Sequence, residues 1–531
     1  MNIFQTLKEK NNLIIALCIC IFVLVIKFLN IDYQDNDDYV YTTILSGVYS
    51  GTPSPLTVYE GYYFGLLVTS LYELLPRIEW YACVMHFLYI VSFAIIASKL
   101  LKSNVATVVK YASLVALVSF QVYLLLSPQF TILAGELALA ASVLLVNAPR
   151  KREYLMAVLL IFASSQIRVS AMLMVIVPLM PLLFLPLRMK EKSWYTKPAV
   201  YFAAILVSLA VNVITNKIAY SQDEDWDFYM AYNTPRGVIE QSLQKESAVN
   251  LFKDSLKIQE YKLMCKFGLI DGHIISIDEM NACADYVKSK GSSLFVQNMM
   301  PYYYGLRNQG FGVVGICILL LICISVKRRK TADLFLLSTT FVLFLIELIY
   351  CMNTSFAKER IIICLMFFMF TATAICAYRL LSRKELQYAC LVVSLFFSAY
   401  YIRKSYYWEI EVNDRLESTV EVNSLLSTIP DSKVHMLGIP GYAEIYHISK
   451  TPCRMKCIGK GWLNNNPLHK EFYSGYSTLV NGVPIIKPQG AKNDNIDCII
   501  NALFKHYQIS VTTEVIAKSD NYEVVRLVEK K

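Results

Sequence analysis

The sequence predicts an all-α polytopic membrane bundle of about eleven spanning helices over residues 1–404, followed by a small extracytoplasmic α/β unit over residues 405–531. Three observations predict it. Of 531 residues, 56% are hydrophobic and 17% charged, against roughly 45–50% and about 25% in soluble domains. Apolar runs approaching the ~20 residues needed to cross a bilayer recur along the chain. Lys and Arg gather between alternate runs, as they do on the cytoplasmic side of membrane proteins. A water-soluble enzyme is therefore excluded, and the net charge of +9 has a topological cause. Nucleic acid is not an expected partner.

The first run, Leu13 to Leu29, follows Lys8 and Lys10. No small-residue cleavage site comes after it, so it reads as an uncleaved signal anchor. The remaining runs are Trp80 to Leu101, Val105 to Leu126, Phe130 to Asn147, Tyr154 to Gln166, Ser170 to Leu187, Ala199 to Thr215, Phe311 to Val326, Leu334 to Met352, Ile361 to Leu381 and Leu386 to Tyr401. Gly61 to Leu75 is also apolar, but it holds four polar or aromatic interruptions and ends at Pro76. If it does not cross, Lys99, Lys102, Arg150 to Arg152, Arg188, Lys327 to Lys330, Arg379 and Arg383 all fall inside. It is expected to be an amphipathic helix in the outer interface. The N-terminus is then cytoplasmic, and three hydrophilic regions share the outer face: residues 30–79, 216–309 and the tail.

In the long loop, Ser247 to Leu263 and Ile277 to Lys288 read as polar helices. The tail reads as a helix near Asp414 to Ser427, a strand Lys433 to Ile439, a helix Asn495 to Tyr507, and strands Ile509 to Ile516 and Tyr522 to Val528. Five cysteines lie on the outer side: Cys265, Cys283, Cys453, Cys457 and Cys498. An odd count leaves at least one unpaired, and Cys453 with Cys457 is one pairing the spacing allows.

Directly after the first run stands Asp35-Asn36-Asp37-Asp38. Carboxylates this close repel one another unless a cation or a reacting group uses them. Asp37 or Asp38 can serve as a general base, and Asp35, Asp37 and Asp38 can offer oxygens to a divalent ion such as Mg or Mn; a solvated turn with a helix cap at Asp37 or Asp38 is the plainer alternative. The loop continues through an aromatic patch with Tyr59, Glu60 and Tyr62. Cations are scarce in short outer turns. Arg168, Lys358 and Arg360 stand in two of them, suited to a lipid phosphate or to snorkelling. Glu136 and Glu347 lie inside apolar runs, where acids face a cavity or a partner. Asp223 to Arg236, including Trp226 and Arg236, and Trp462 to His469 combine aromatics with polar groups that suit saccharide binding or an ordinary loop.

An acidic first loop followed by an in-plane helix resembles the GT-C superfamily of polytopic glycosyltransferases. The closest resemblance is to bacterial envelope membrane proteins with Asn-Asp-Asp and then Ser-Gly-x-Tyr-x-Gly-Thr-Pro in this loop, here Asn36-Asp37-Asp38 and Ser46 to Pro53. The resemblance implies a GT-C-like bundle and an inverting transferase that uses a polyprenyl-phosphate-linked sugar and a glycan or lipid acceptor. It further implies catalysis by Asp37 or Asp38 and a donor phosphate held by Arg168, Lys358 and Arg360. Asp35, Tyr59, Glu60, Tyr62, Glu136, Arg236 and Glu347 are further candidates for substrate contact. A transporter, flippase or polymerase of lipid-linked glycans is the alternative, and a sensor or assembly protein the non-catalytic option.

Overall fold

The computed structural model describes residues 3–48, 50–103, 106–146, 151–183, 196–242, 244–267, 271–290, 294–327, 331–354, 357–380, 384–429, 433–436, 448, 456–458, 461–469, 473–480, 483–490 and 494–530. The chain is mostly helical. Helices α1 (Ile3–Phe28), α2 (Asn36–Leu45), α3 (Tyr62–Leu74), α4 (Trp80–Lys102), α5 (Thr107–Leu126), α6 (Phe130–Val146), α7 (Lys151–Leu183) and α8 (Thr196–Tyr220) form the first part. The polar connection holds α9 (Glu224–Glu240), α10 (Ser255–Phe267), α11 (Ile277–Ser289) and α12 (Leu294–Asn308). Then come α13 (Phe311–Lys327), α14 (Thr331–Thr354), α15 (Glu359–Leu380) and α16 (Lys384–Ser427).

Among the described residues, five helical segments are long and apolar enough to cross a membrane: Lys10–Phe28, Trp80–Lys102, Thr107–Leu126, Lys151–Met180 and Pro198–Tyr220. The sequence expectation of eleven is not reached by this measure. Two expected spans, Tyr154 to Gln166 and Ser170 to Leu187, fall on two helices that meet within α7 at a kink, Arg168 with φ −158° and ψ 101°, the second helix being described as far as Leu183. Phe130–Leu145 and Ser338–Thr354 are apolar but shorter.

Helix α6 is the centre of the bundle. It is apolar on every side, and nearly every residue of it is buried, as a helix without a polar face requires. It packs between α4, α7 and α15, while α16 lies along α5 and α8 along α7. Helix α3 has 13 residues, about 20 Å at 1.5 Å per residue, too short to cross ~30 Å of hydrocarbon. It buries Phe64, Val68 and Tyr72 against α4, α7 and α8 and exposes Leu67 and Leu74. This is the amphipathic, non-crossing helix expected from the sequence.

The last apolar run and the first tail helix are one element, since α16 is continuous over 44 residues and passes through position 405. After it come β1 (Lys433–Met436), β2 (Lys456–Ile458), β3 (Ile485–Pro488), α17 (Asp494–Tyr507), β4 (Val511–Lys518) and β5 (Tyr522–Glu529). Three of the strands, β3, β5 and β4, are antiparallel neighbours, extended through β1 and β2 by short parallel pairing. Helix α17 packs with α10, so the polar connection and the tail share a core containing Tyr261, Met280, Tyr476, Ile499 and Leu503. Cys265 and Cys283 are free, and Cys453 of the expected Cys453–Cys457 pairing lies outside the described residues.

Candidate functional site

The site is assembled at the bundle end where α4, α6 and α15 begin. The basic residues Lys99, Lys102 and Lys327 lie at the other end of their helices. Asp35 caps α2: its backbone is extended, and its carboxylate accepts the Asp37 N–H at 3.4 Å. The cap expected at Asp37 or Asp38 is thus two or three residues earlier, and both acids lie in the first turn, where the positive helix end favours them. The following Ser-Gly-x-Tyr-x-Gly-Thr-Pro segment folds back on α2. Gly47 has φ +77°, and a Cβ there would lie 2.5 Å from the Pro53 nitrogen.

Successive helical residues point about 100° apart, so Asp37 and Asp38 diverge. Asp37 turns towards α15, and its Oδ2 accepts from Arg360 Nη1 at 3.1 Å. The same nitrogen donates to Asp35 Oδ2 at 2.5 Å. Side-chain exposure is 12% for Arg360, 32% for Asp35 and 23% for Asp37, so this ion-paired cluster still meets solvent. The three acids do not converge on one point, and Arg360 occupies the space between Asp35 and Asp37. Among the described residues no group of three or more His, Cys, Asp or Glu side chains could hold a metal ion.

Asp38 is fully buried. Its Oδ1 accepts the Phe130 N–H at 3.1 Å and the Tyr81 hydroxyl at 3.1 Å, and that hydroxyl also lies 3.0 Å from Glu60 Oε1. One phenolic proton cannot serve two carboxylates, so one of the two acids must itself carry a proton. Burial pushes Glu60 up to about 8, and burial together with the Asp35 charge holds Asp38 well above the usual carboxylate range. Asp38 fixes the start of α6, and Glu60 fixes the aromatic loop.

That loop is strained at Val58, a β-branched residue with φ +71°, a conformation that costs of order 1–3 kcal/mol. Tyr220 compensates by accepting the Val58 N–H at 2.7 Å. The result separates two neighbours: Glu60 turns inward to Tyr81, and Tyr59 turns to the opening. There the Arg168 guanidinium lies 5.2 Å from the Tyr59 ring centre and 5.5 Å from that of Phe130. Arg360 lies 5.8 Å from the same Phe130 ring, so the two cations share one aromatic platform. Arg168 is half-buried at the break in α7, donates to Ser170 Oγ at 3.2 Å, and among the described residues forms no ion pair.

The tail completes the site. Trp462, in a short 3-10 turn, donates its indole N–H to Asp37 Oδ1 at 3.0 Å. Its ring lies 5.6 Å from Tyr41 and 5.4 Å from Tyr59, and Tyr229 of α9 donates to its carbonyl. Asp37 is thus held between a guanidinium and an indole, beneath walls of Tyr41, Tyr59 and Trp462.

The other candidates stand elsewhere. Lys358 is exposed, and its backbone carbonyl receives the first N–H groups of α15. Tyr62 begins α3, where its N–H donates to Asn216 Oδ1 at 2.8 Å. Arg236 is buried in α9, pairs with Glu240 and donates to Asn233 Oδ1 at 2.9 Å. Trp226, Tyr229 and Tyr232 of the same helix are buried too, so these aromatics of the Asp223 to Arg236 stretch pack inward, while Asp223, Glu224, Asp227 and Phe228 stay exposed. Glu136 is buried in α6 beside Gln121 and Tyr89, and Glu347 lies in α14 beside Cys351 and Cys364. Neither reaches the Asp37 cluster through any described contact.

No protein-family model matches the sequence, and no curated protein is significantly similar to it. The chemistry must be read from the site itself.

Proposed function

We propose that the chain is an inverting, GT-C-like membrane glycosyltransferase that moves a sugar from a polyprenyl-phosphate carrier to a glycan or lipid acceptor. In this reading the bundle crosses a bacterial cell membrane about eleven times, with a cytoplasmic N-terminus, and the Asp37 end faces outward. The supporting observation is the environment of Asp37: a partly exposed carboxylate oriented by Arg360 and Trp462, walled by tyrosines, with an Arg168 cation nearby that forms no ion pair among the described residues.

Each group has a step in the reaction. The acceptor hydroxyl gives its proton to Asp37, and its oxygen attacks the anomeric carbon from the face opposite the phosphate. The bond between that carbon and the phosphate oxygen breaks, and the electron pair leaves with the polyprenyl phosphate. Arg168 stabilises the departing anion with a bidentate fork, and exposed Lys358 adds positive charge at the rim. The half-buried rings of Tyr59 and Trp462 offer apolar faces to the C–H surface of the sugar. No bound nucleotide is needed, because the lipid carrier already holds the activated sugar.

Reconstitution of the full chain in vesicles with a polyprenyl-phosphate-linked sugar and candidate acceptors tests this. The expected result is sugar on the acceptor and an equal amount of free polyprenyl phosphate. A donor moved intact across the bilayer would overturn transfer in favour of transport.

A further inference from the structure

The polar connection between α8 and α13 ends in α12, whose exposed face is apolar. Val296, Met299, Met300, Tyr303 and Tyr304 are all exposed, with Arg307 next in the same stripe. Their spacing alternates three and one, which places them on one side of a helix. The opposite side holds Asn298, Tyr302, Leu306 and, just past the helix, Gln309, all buried. An amphipathic helix of a water-exposed connection would show the reverse order, with the apolar stripe inward.

Two contacts and a turn fix the depth of α12. Asn298 Nδ2 donates to the Met352 carbonyl at 2.8 Å, near the end of α14. A Cβ at Gly305 would lie 3.0 Å from Ile362, in the first turn of α15. Gly310, with φ +83°, then turns the chain directly into α13. The helix therefore lies where two apolar helices end or begin. At 15 residues, about 22 Å, it is too short to cross a bilayer. Helix α12 packs on α14, whose apolar side chains Ile346, Ile349 and Tyr350 are also exposed.

We propose that α12 is a membrane-interface helix whose occupant is phospholipid: Val296, Met299 and Met300 sink into the acyl boundary, while Tyr303, Tyr304 and Arg307 meet the headgroups. The continuity with the flank of α14 favours lipid over a protein partner, since one bilayer covers both surfaces. This assignment is independent of the transferase reading. It gives the site end a second in-plane helix, on the α14 and α15 side of the bundle, to match α3 on the α4 and α8 side.

A photoreactive benzophenone amino acid at Met300, and separately at Tyr304, in the full-length chain tests this in vesicles of phosphatidylethanolamine and phosphatidylglycerol bearing an alkyne tag. The same group at exposed Lys288 of α11 is the control. At least tenfold more lipid adduct at Met300 and Tyr304 than at Lys288 is expected. Equal labelling at all three positions, or crosslinking of Met300 and Tyr304 chiefly to a second copy of the chain, would overturn the proposal.

Discussion

Replacing Asp37 by Asn lowers sugar transfer about 10²- to 10⁴-fold, the usual contribution of a general base, and leaves the fold intact. Asn retains an oxygen for the Trp462 indole, which now donates at 3.0 Å, but it has no carboxylate to take the acceptor proton. Asp38→Ala behaves differently. It strands the Phe130 N–H in a buried setting, at a cost of about 1–3 kcal/mol, while the Tyr81 hydroxyl keeps Glu60 as its acceptor. Its effect therefore appears first in thermal unfolding of the detergent-solubilised protein. Initial rates in vesicles, set beside unfolding curves, separate the two acids. Wild-type turnover by Asp37→Asn would remove Asp37 from the chemistry.

Arg360→Met should cost both stability and activity. A single guanidinium nitrogen now holds Asp35 and Asp37 together, and without it two carboxylates face each other in a partly buried place. Breaking a buried pair typically costs 3–5 kcal/mol. The remaining exposure of the two acids brings the expected loss to about 2–4 kcal/mol, measurable by denaturant unfolding in detergent. Transfer falls as well, because Asp37 loses its orientation. Arg360→Lys should recover most of the stability, since one nitrogen already makes both contacts. It should not recover full turnover, since the planar group over Phe130 is lost. An Arg360→Met variant as stable as the wild type would show that the cluster is dispensable to the fold.

Local features of this arrangement were legible in the sequence. Apolar runs marked most of the helices, the interruptions in Gly61 to Leu75 marked α3 as a helix that does not cross, and the cation in Ser-Ser-Gln-Ile-Arg168 marked the break in α7. The Asp cluster was conspicuous, but its division of labour was not. Recognising Asp35 as the cap places Asp37 and Asp38 on different helical faces, and only packing shows that one face meets α15 and the other meets α4 and α6. Trp462 lies 425 residues from Asp37, and no local pattern links them. Its setting of aromatic and Asn residues suited a saccharide contact or an ordinary loop, without indicating where the segment docks. Composition misled at α9, where acids and aromatics suited to a sugar surface are sorted by helical periodicity so that Trp226 and Tyr229 point inward. It also concealed β3, whose four residues end in proline and whose strand character comes from pairing with β1 and β5.

In the proposed reaction the lipid phosphate is received beside Asp37, where Arg168 and Arg360 share the Phe130 ring. A structure of the full chain with polyprenyl phosphate bound tests it most directly. The phosphate head is expected within hydrogen-bond reach of Arg168, beside Asp37 and beneath Trp462. A phosphate head at the opposite end of the bundle, among Lys99, Lys102 and Lys327, would contradict it.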